Sequence, residues 1–433
     1  MKTFSFFILL LFLTSATSKF LKEKELFEDY YPQAEKIVEK MTIEQKIGQM
    51  FFPRFSKTNL KENMKKYYPG GFVLFANDFK DSTESIKAFI DETQKYSKEI
   101  NNDIPLGLSV DEEGGTVCRI SIHEDKRKEK FPSPREVYEK EKGKGWENME
   151  IIEKEKIELI KKHGLNLNLA PVADLPYNEQ DFIYQRAFST DLKLTEEYIE
   201  RDVKIYNDNK FSCCLKHFPG YGNNTDTHTE KAADKRTYDE LRNRDMKTFE
   251  SGIKNGVPTV MITHTTYDNI DTEYPASISE KVHKILREDL KFSGLILTDD
   301  ITMGAILHFD GPAAKYAVTS GNDVILTSNW EKDYGIVLNA TKNGEIDEKI
   351  INKACKRIIA WKLKYLGHFG PDESSSSSSS HSSSSSSSHS SSSSSSHSSS
   401  PSSSHSTSSS SSIHLGSIVK YFLGLLGLIL LLN

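Results

Sequence analysis

A histidine and an aspartate in one loop, shortly after a lysine–histidine pair, offer the most specific chemistry in the sequence. An apolar run from residue 213 ends in Lys216 and His217, and proline and glycine residues then lead into a loop that carries Asp226 and His228. This apolar run followed by proline and glycine predicts a strand and then a loop. An aspartate two positions before a histidine can orient the imidazole and raise its basicity, as proton transfer near neutral pH requires. A solvated polar loop is the alternative for the Asp-x-His pair alone, but the whole constellation favours a functional site.

A second group of charged residues follows another apolar run. Residues 104–110 predict a strand, which is followed by Asp111, two glutamates and a Gly-Gly turn, with Arg119 eight positions after Asp111. Carboxylate and guanidinium groups in one pocket can hold neighbouring sugar hydroxyls through charge-assisted hydrogen bonds. Standing alone, this motif would fit a salt-bridged surface loop better than a binding site.

A third apolar run ends in two aspartates, Asp299 and Asp300. Successive residues point in different directions, so we expect only one of the two to face a pocket. A carboxylate fixed there suits attack on the anomeric carbon of a sugar and formation of a covalent glycosyl intermediate. The alternative is that an aspartate caps the following helix. We expect both roles, with Asp299 in the pocket and Asp300 near the helix start.

Strands that alternate with helices make up the globular part of the chain, residues 27–370. This alternation is typical of a (β/α)₈ TIM barrel, an α/β fold with one catalytic domain, and short apolar strands suit a buried parallel sheet. A doubly wound open sheet is the alternative, because alternation alone does not show closure. The strands are predicted at 47–52, 72–75, 104–110, 165–169, from 213, 257–263, 294–298 and 323–326, and the main helices at 31–46, 82–96, 146–163, 194–207, 238–255, 281–290 and 346–365.

In a barrel, the catalytic residues lie just past the carboxyl ends of the strands, so polar residues are expected at those positions in the sequence. The third predicted strand is followed by Asp111, the fifth ends in Lys216 and His217, the sixth is followed by His264 and the seventh by Asp299. Residues that only build a core would not require so many charges at one end of so many strands.

The ends of the 433-residue chain differ from globular sequence. Residues 1–18 predict a cleaved secretory signal peptide, since an apolar run follows Lys2 and is too short to span a membrane. Residues 374–412 are almost pure serine with histidines at regular spacing, which predicts a disordered, glycosylated stalk, and we favour a low-complexity repeat over metal binding. Residues 413–433 resemble a GPI-type attachment signal, with a tail-anchored span as the alternative.

These patterns predict a location and restrict the partners. We expect the protein in the secretory pathway, on the extracellular face of the membrane through a C-terminal lipid anchor or short span, or secreted. The net charge of -6 argues against a nucleic-acid binder. Asn223 and Asn339 match the glycosylation pattern, although a glycan on Asn223 would crowd the loop. The cysteines, at positions 118, 213, 214 and 355, show no disulfide framework or zinc spacing, which leaves one bridge or buried thiols open.

The motifs resemble glycoside hydrolase family 3, in its single-domain β-N-acetylhexosaminidase branch. Residues 216–222 and 226–228 resemble the signature Lys-His-Phe-Pro-Gly-x-Gly followed by Asp-(Ser/Thr)-His, except that Tyr221 stands where the branch usually has histidine. Residues 111–119 resemble its Asp-x-Glu-Gly-Gly-x-Val-x-Arg segment, and residues 169–174 its Leu-Ala-Pro-Val-x-Asp segment. The resemblance covers essentially the whole globular part.

The resemblance implies a function and a set of roles. The protein would be a retaining, exo-acting glycosidase that removes terminal β-linked N-acetylhexosamine, with no metal or organic cofactor. Asp299 would be the nucleophile and His228 the acid/base, with Asp226 as its partner. The residues implied to bind the sugar are Asp111, Arg119, Arg186, Lys216 and His217.

Three alternatives remain at this point. A β-glucosidase of the same family would share the fold, although such enzymes usually carry the acid/base on a second domain, in place of the Asp-x-His loop. A metal-dependent barrel hydrolase could use His217, His264 and Asp299 as ligands. A surface protein that binds carbohydrate without catalysis is the third, and the intact Asp299, Asp226 and His228 argue against it.

Overall fold

Parallel strands that alternate with helices organise the computed structural model, which describes residues 24–140, 143–228 and 231–370. The predictions made for residues 1–18, 374–412 and 413–433 lie outside this part of the chain. Within it, no helix is both long enough and apolar enough to cross a membrane.

The main parallel strands form two hydrogen-bonded groups. They are β1 (Phe51–Pro53), β2 (Gly71–Leu74), β3 (Gly107–Val110), β4 (Leu167–Asn168), β5 (Ser212–Phe218), β6 (Thr259–Ile262), β7 (Leu295–Thr298) and β8 (Ile325–Thr327). Strands β2 to β7 form a six-stranded sheet in chain order, and β1 pairs with β8. Parallel bridges from Arg54 to Val73 and from Leu297 to Val324 connect the β1–β8 pair to both edges of that sheet. The fold is therefore α/β and TIM-barrel-like, as the alternation predicted.

Helices pack around these strands. They are α1 (Tyr31–Glu39), α2 (Ile43–Gln49), α3 (Leu60–Tyr67), α4 (Thr83–Ile100), α5 (Pro134–Lys140), α6 (Gly145–Lys162), α7 (Leu192–Asp208), α8 (Tyr238–Asn243), α9 (Asp245–Lys254), α10 (Glu280–Lys284), α11 (Gly304–Leu307), α12 (Ala313–Ser320), α13 (Trp330–Lys342) and α14 (Glu348–Leu366). A π-helical turn, Ile285–Asp289, continues α10, and Ala233–Asp234 pairs with Thr266–Tyr267 as a small separate sheet.

Two of the predicted helices are each divided in the structure. One continuous helix was predicted for 31–46, but the structure has two, α1 and α2. The second helix starts after Thr42, which forms a capping box with Gln45. Helix α2 then runs to Gln49, so the predicted strand 47–52 was placed too early. The prediction for 238–255 is interrupted at Arg244, whose backbone leaves the helical conformation.

Glycine and aromatic residues fill the interior of the strand layer. The Phe52 ring packs 6.3 Å from the Trp361 ring, and a Cβ at Gly107 would lie 2.6 Å from the Phe52 ring. Only glycine leaves room for this ring at that position. The cysteines named above are buried free thiols in the structure, which decides the open question about a bridge.

Candidate active site

A cavity of about 250 Å³ lies at the carboxyl ends of the strands. This is the position that the barrel hypothesis predicted for the chemistry. Its walls include all the predicted sugar-binding residues, together with Asp299 and His228: Asp111, Arg119, Arg186, Lys216, His217, His228 and Asp299. Asp226 contacts His228 from behind.

One side of the cavity is a buried network of ion pairs. Lys216 Nζ lies 2.7 Å from Asp111 Oδ1 and 2.6 Å from Glu113 Oε1. Arg186 binds the Glu113 carboxylate in a bidentate manner, with its Nε and Nη2 atoms at 2.9 and 2.8 Å. Burial opposes ionisation of Glu113, but Arg186 and Lys216 outweigh it and hold the pKa of Glu113 well below its usual range. The network therefore presents fixed charges to a polar ligand.

Strand β5 delivers Lys216 and His217 and ends one residue later, at Phe218, close to the predicted end. The Asp174 carboxylate then fixes the histidine. Its Oδ2 atom lies 2.7 Å from His217 Nδ1 and accepts a hydrogen bond from the His217 amide at 3.1 Å. The other oxygen, Oδ1, accepts from the Tyr221 amide at 2.8 Å. One buried carboxylate thus orients a predicted sugar-binding residue and the start of the next loop.

Asp299 follows β7 and borders the cavity. Its amide donates to the Ile262 carbonyl at 3.1 Å, and its Oδ1 accepts from the Asp300 amide at 2.8 Å. Burial opposes ionisation, but the imidazoles of His264, His217 and His228 outweigh it and lower the pKa of Asp299. A carboxylate that stays ionised and keeps its second oxygen for a ligand can act as a nucleophile.

Asp300 also borders the cavity, but other groups occupy its carboxylate. The Thr302 amide and hydroxyl donate to Oδ1 at 2.9 and 2.6 Å, and the Ser328 hydroxyl donates to Oδ2 at 2.6 Å. Helix α11 begins only at Gly304, with Met303 at its N-cap position. Asp300 therefore lies near the helix start, as expected, but does not cap the helix, and its carboxylate joins two loops.

The histidines proposed as metal ligands use both ring nitrogens for other contacts. His264 Nε2 donates to the Asp300 carbonyl oxygen at 2.9 Å, and its Nδ1 lies 2.7 Å from the Ser277 hydroxyl oxygen. Burial lowers the pKa of His264, although the Asp299 carboxylate opposes this effect. His217 Nδ1 faces Asp174, and its Nε2 faces Arg186 Nη2 at 3.3 Å. The set His217, His264 and Asp299 is therefore arranged for hydrogen bonds rather than for a metal ion.

The loop after β5 carries Asp226 and His228, the pair predicted to transfer protons. His228 Nδ1 lies 2.6 Å from Asp226 Oδ1, and the His228 amide donates to the same oxygen at 2.9 Å. This arrangement leaves Nε2 to exchange a proton with a ligand in the cavity. The His228 side chain is 56% exposed, in contrast to 2% for Lys216.

Arg119 and Arg54 form a further part of the wall. Their guanidinium carbons lie 5.6 and 4.5 Å from the centre of the Phe75 ring. Among the described residues, Arg119 Nε is buried without a hydrogen-bond partner. Arg119 itself borders the cavity, and its role in sugar binding remains a prediction.

Glu113 and Asp174 contact the predicted sugar-binding residues but were not selected from the sequence. Both follow predicted strands, and Asp174 is an acidic residue among apolar ones. A carboxylate in such surroundings requires buried cationic or amide partners, and this signal could have found Asp174, whereas Glu113 stands in an acidic run that does not distinguish it.

The predicted glycosylation acceptors are both exposed. Asn223 borders a separate surface depression with Asp234 and Arg236 rather than the central cavity. Asn339 lies on α13, with the hydroxyl of its sequon partner Thr341 bonded to the Val337 carbonyl at 2.8 Å. Both sites remain predictions.

Comparisons with known proteins agree with this geometry. Residues 42–361 match the family described as glycosyl hydrolase family 3 N terminal domain. A beta-hexosaminidase of Methylobacillus flagellatus is 31% identical over 271 residues, which cover 60% of this chain and 73% of the relative. A beta-hexosaminidase of Hydrogenovibrio crunogenus is 30% identical over 284 residues, which cover 62% and 74%.

Solved structures show the same fold. A family 3 beta-N-acetylglucosaminidase from a Paenibacillus species aligns with a TM-score of 0.69 and 24% identity over 78% of this chain and 65% of that one, so this chain spans less than two thirds of it. A family 3 member from Mycobacterium smegmatis aligns with a TM-score of 0.66 and 23% identity over 77% and 99%. The chain therefore belongs to glycosyl hydrolase family 3, and it is a glycoside hydrolase.

Proposed function

We propose that this glycoside hydrolase removes terminal β-linked N-acetylhexosamine by a retaining, exo-acting mechanism. The observation that carries the proposal is the arrangement of Asp299 and the Asp226–His228 pair around one cavity, whose other wall is the Lys216 and Arg186 network. The names of the two bacterial relatives, both beta-hexosaminidases, support the choice of sugar.

The first step would form a covalent intermediate. The Asp299 carboxylate attacks the anomeric carbon while the bond from that carbon to the glycosidic oxygen breaks. Protonated His228 gives its Nε2 proton to the departing oxygen, which leaves as an alcohol. The lowered pKa of Asp299 keeps the nucleophile ionised during this step.

The second step would release the sugar. Neutral His228 takes a proton from water, the water oxygen attacks the anomeric carbon, and the Asp299 carboxylate departs. Two inversions restore the β configuration. Asp226 accepts from the other ring nitrogen throughout and stabilises the imidazolium form.

The buried charges would hold the hydroxyl groups of the sugar. Asp111, Glu113, Lys216 and Arg186 are already paired within 3 Å of one another, so their positions do not depend on the ligand. Such preorganisation reduces the cost of ordering when the sugar binds.

Two features of the architecture belong to the same proposal. The bridges at Arg54 and Leu297 support closure of the strands into a (β/α)₈ barrel. The sequence of residues 1–18 and 413–433 supports export and a C-terminal GPI-type anchor, with secretion or a short span as alternatives. Release from the cell surface by a phosphatidylinositol-specific phospholipase would distinguish a lipid anchor from a span.

Paired substrates test the proposed activity. Nitrophenol release from the N-acetyl-β-glucosaminide and from the β-glucoside is compared for the wild type, Asp299→Ala and His228→Ala, with chelator present. We expect turnover of the N-acetyl substrate that survives chelator and is lost in Asp299→Ala. Preference for the glucoside would overturn the substrate, loss of activity in chelator would favour the metal-dependent alternative, and sugar binding without turnover would favour the non-catalytic one.

A further inference from the structure

The ring of Tyr221 lies beneath the acid/base loop, residues 222–228. It packs edge-on against the His217 ring at 5.2 Å and lies tilted against the Phe182 ring at 5.8 Å, and only 1% of the residue is exposed. Its amide is bound to Asp174, the carboxylate that also orients His217. Tyr221 is therefore buried and held by the same carboxylate as His217, although it stands at the start of the loop.

The hydroxyl of Tyr221 reaches the far end of the same loop. It is hydrogen-bonded to the hydroxyl of Thr227, the residue between Asp226 and His228. Thr227 is fully buried. Burial, together with the charge of Asp299, raises the pKa of the Tyr221 phenol, so the group stays protonated and keeps its hydrogen-bonding capacity.

Backbone contacts hold the loop from the other side. The Thr227 carbonyl accepts from the Ala305 amide at 3.1 Å, and the His228 carbonyl accepts from the Gly304 amide at 3.0 Å. These bonds hold the backbone of Thr227 and His228. The Tyr221–Thr227 bond adds a side-chain contact at the residue between Asp226 and His228.

We propose that Tyr221 is a positioning residue for proton transfer, acting through its hydroxyl bond to Thr227 to hold His228 over the glycosidic oxygen. The inference rests on the proposed role of His228 as the acid/base. A general acid must come within hydrogen-bond reach of the atom it protonates, and a displacement of about 1 Å costs a large part of its effect. This role would make use of the position at which the chain departs from the family pattern.

Comparing substrates with poor and good leaving groups distinguishes a positioning role of Tyr221 from a merely structural one. Release of a poor leaving group depends on protonation by His228, whereas release of dinitrophenolate does not. Loss of positioning should therefore lower kcat/KM for a phenyl N-acetyl-β-glucosaminide and spare the dinitrophenyl substrate. General loss of folded enzyme would lower both values equally.

The test compares Tyr221→Phe, Thr227→Val and the double variant with the wild type on both substrates. Because one neutral hydrogen bond is removed, we expect kcat/KM for the phenyl substrate to fall about 5- to 10-fold in either single variant, and no further in the double variant. Thr227→Ser, which keeps the hydroxyl, should restore most of the activity. Tyr334→Phe is the matched control, since it removes a buried tyrosine hydroxyl that donates to the Glu44 carbonyl outside the cavity.

Three results would overturn the proposal. These are wild-type kcat/KM in Tyr221→Phe, equal losses on the two leaving groups, or multiplied losses in the double variant. Failure of the proposed function itself would appear differently, as a wild-type enzyme without turnover or a His228→Ala variant that keeps full activity. Thr227→Val removes the other partner of the same hydrogen bond, so the test does not depend on the folding of one variant.

Discussion

The strand-borne half of the site (Asp111, Glu113, Lys216, His217 and Asp299) and its loop-borne half (Asp226 and His228) differ in how deeply their side chains are buried and in how many contacts hold them. Lys216 and Glu113 expose 2% and 4% of their side chains and lie in a continuous network of ion pairs, whereas His228 and Asp226 expose 56% and 32%. The strands thus hold the proposed sugar-binding groups and the proposed nucleophile in place without a ligand. The proposed proton-transfer pair depends on a few contacts at the end of one loop, made by Tyr221, Gly304 and Ala305.

The largest expected effect comes from removing the nucleophile of the strand-borne half. Asp299→Asn should lower kcat roughly 10⁴-fold or more, because an amide oxygen is a far weaker nucleophile than a carboxylate and does not form the glycosyl bond. Asp300→Asn is the matched control, since Thr302 and Ser328 already occupy the Asp300 oxygens. Steady-state kinetics with both variants measure the contrast, and a larger loss in Asp300→Asn would reverse the assignment.

A smaller loss of activity is expected from the loop-borne half. His228→Ala should lower kcat/KM for a poor leaving group by about 10²–10⁴-fold, the usual contribution of a general acid. The free energy of unfolding should hardly change, because the side chain is exposed and packs little. Urea denaturation beside the kinetics checks both parts, and strong destabilisation would show that His228 supports the fold rather than the chemistry.

Breaking the ion-pair network should lower the free energy of unfolding, in contrast to the removal of His228. Glu113→Gln leaves Arg186 buried without its carboxylate and should lower the free energy of unfolding by about 3–5 kcal/mol. The exposed pair between Lys61 and Glu92 provides the control, and Glu92→Gln should change stability little. Equal stability of the two variants in urea would mean that the strand-borne half is no more firmly held than the surface.

The same network predicts a dependence of stability on pH. Because the folded protein holds the pKa of Glu113 well below its unfolded value of about 4.3, this residue contributes fully to stability above that pH. The contribution is lost as the pH falls from about 4 toward the folded pKa. As the pH is lowered from about 7 to about 3, the free energy of unfolding should therefore fall more steeply in the wild type than in Glu113→Gln. Parallel curves of this free energy against pH would contradict the assigned ion pairs.

The sequence predicted the strand-borne residues well because each follows an apolar run. Asp111, Lys216, His217 and Asp299 lie where the alternation of strands and helices placed them, at one end of the strands. Their pairing could not be predicted, because Glu113 and Asp174 contact partners that are distant in the chain, such as Arg186 and His217. Only the folded chain brings those groups together.

Local chemistry explains the elements that were predicted wrongly. The capping box between Thr42 and Gln45 starts a new helix inside a stretch that was predicted as one helix and a strand. Strand β5, by contrast, ends within one residue of its predicted end, and Lys216 and His217 are buried there because Asp111, Glu113 and Asp174 pair with them inside the protein.

The central claim is that Asp299 forms a covalent bond to the sugar, and trapping that intermediate tests it most directly. The enzyme is treated with a 5-fluoro-N-acetylglucosaminyl fluoride, digested and mapped by mass spectrometry. We predict one added sugar on the peptide that contains Asp299, and none in Asp299→Asn. An adduct on another residue, or turnover of the reagent without any adduct in the wild type, would contradict the account.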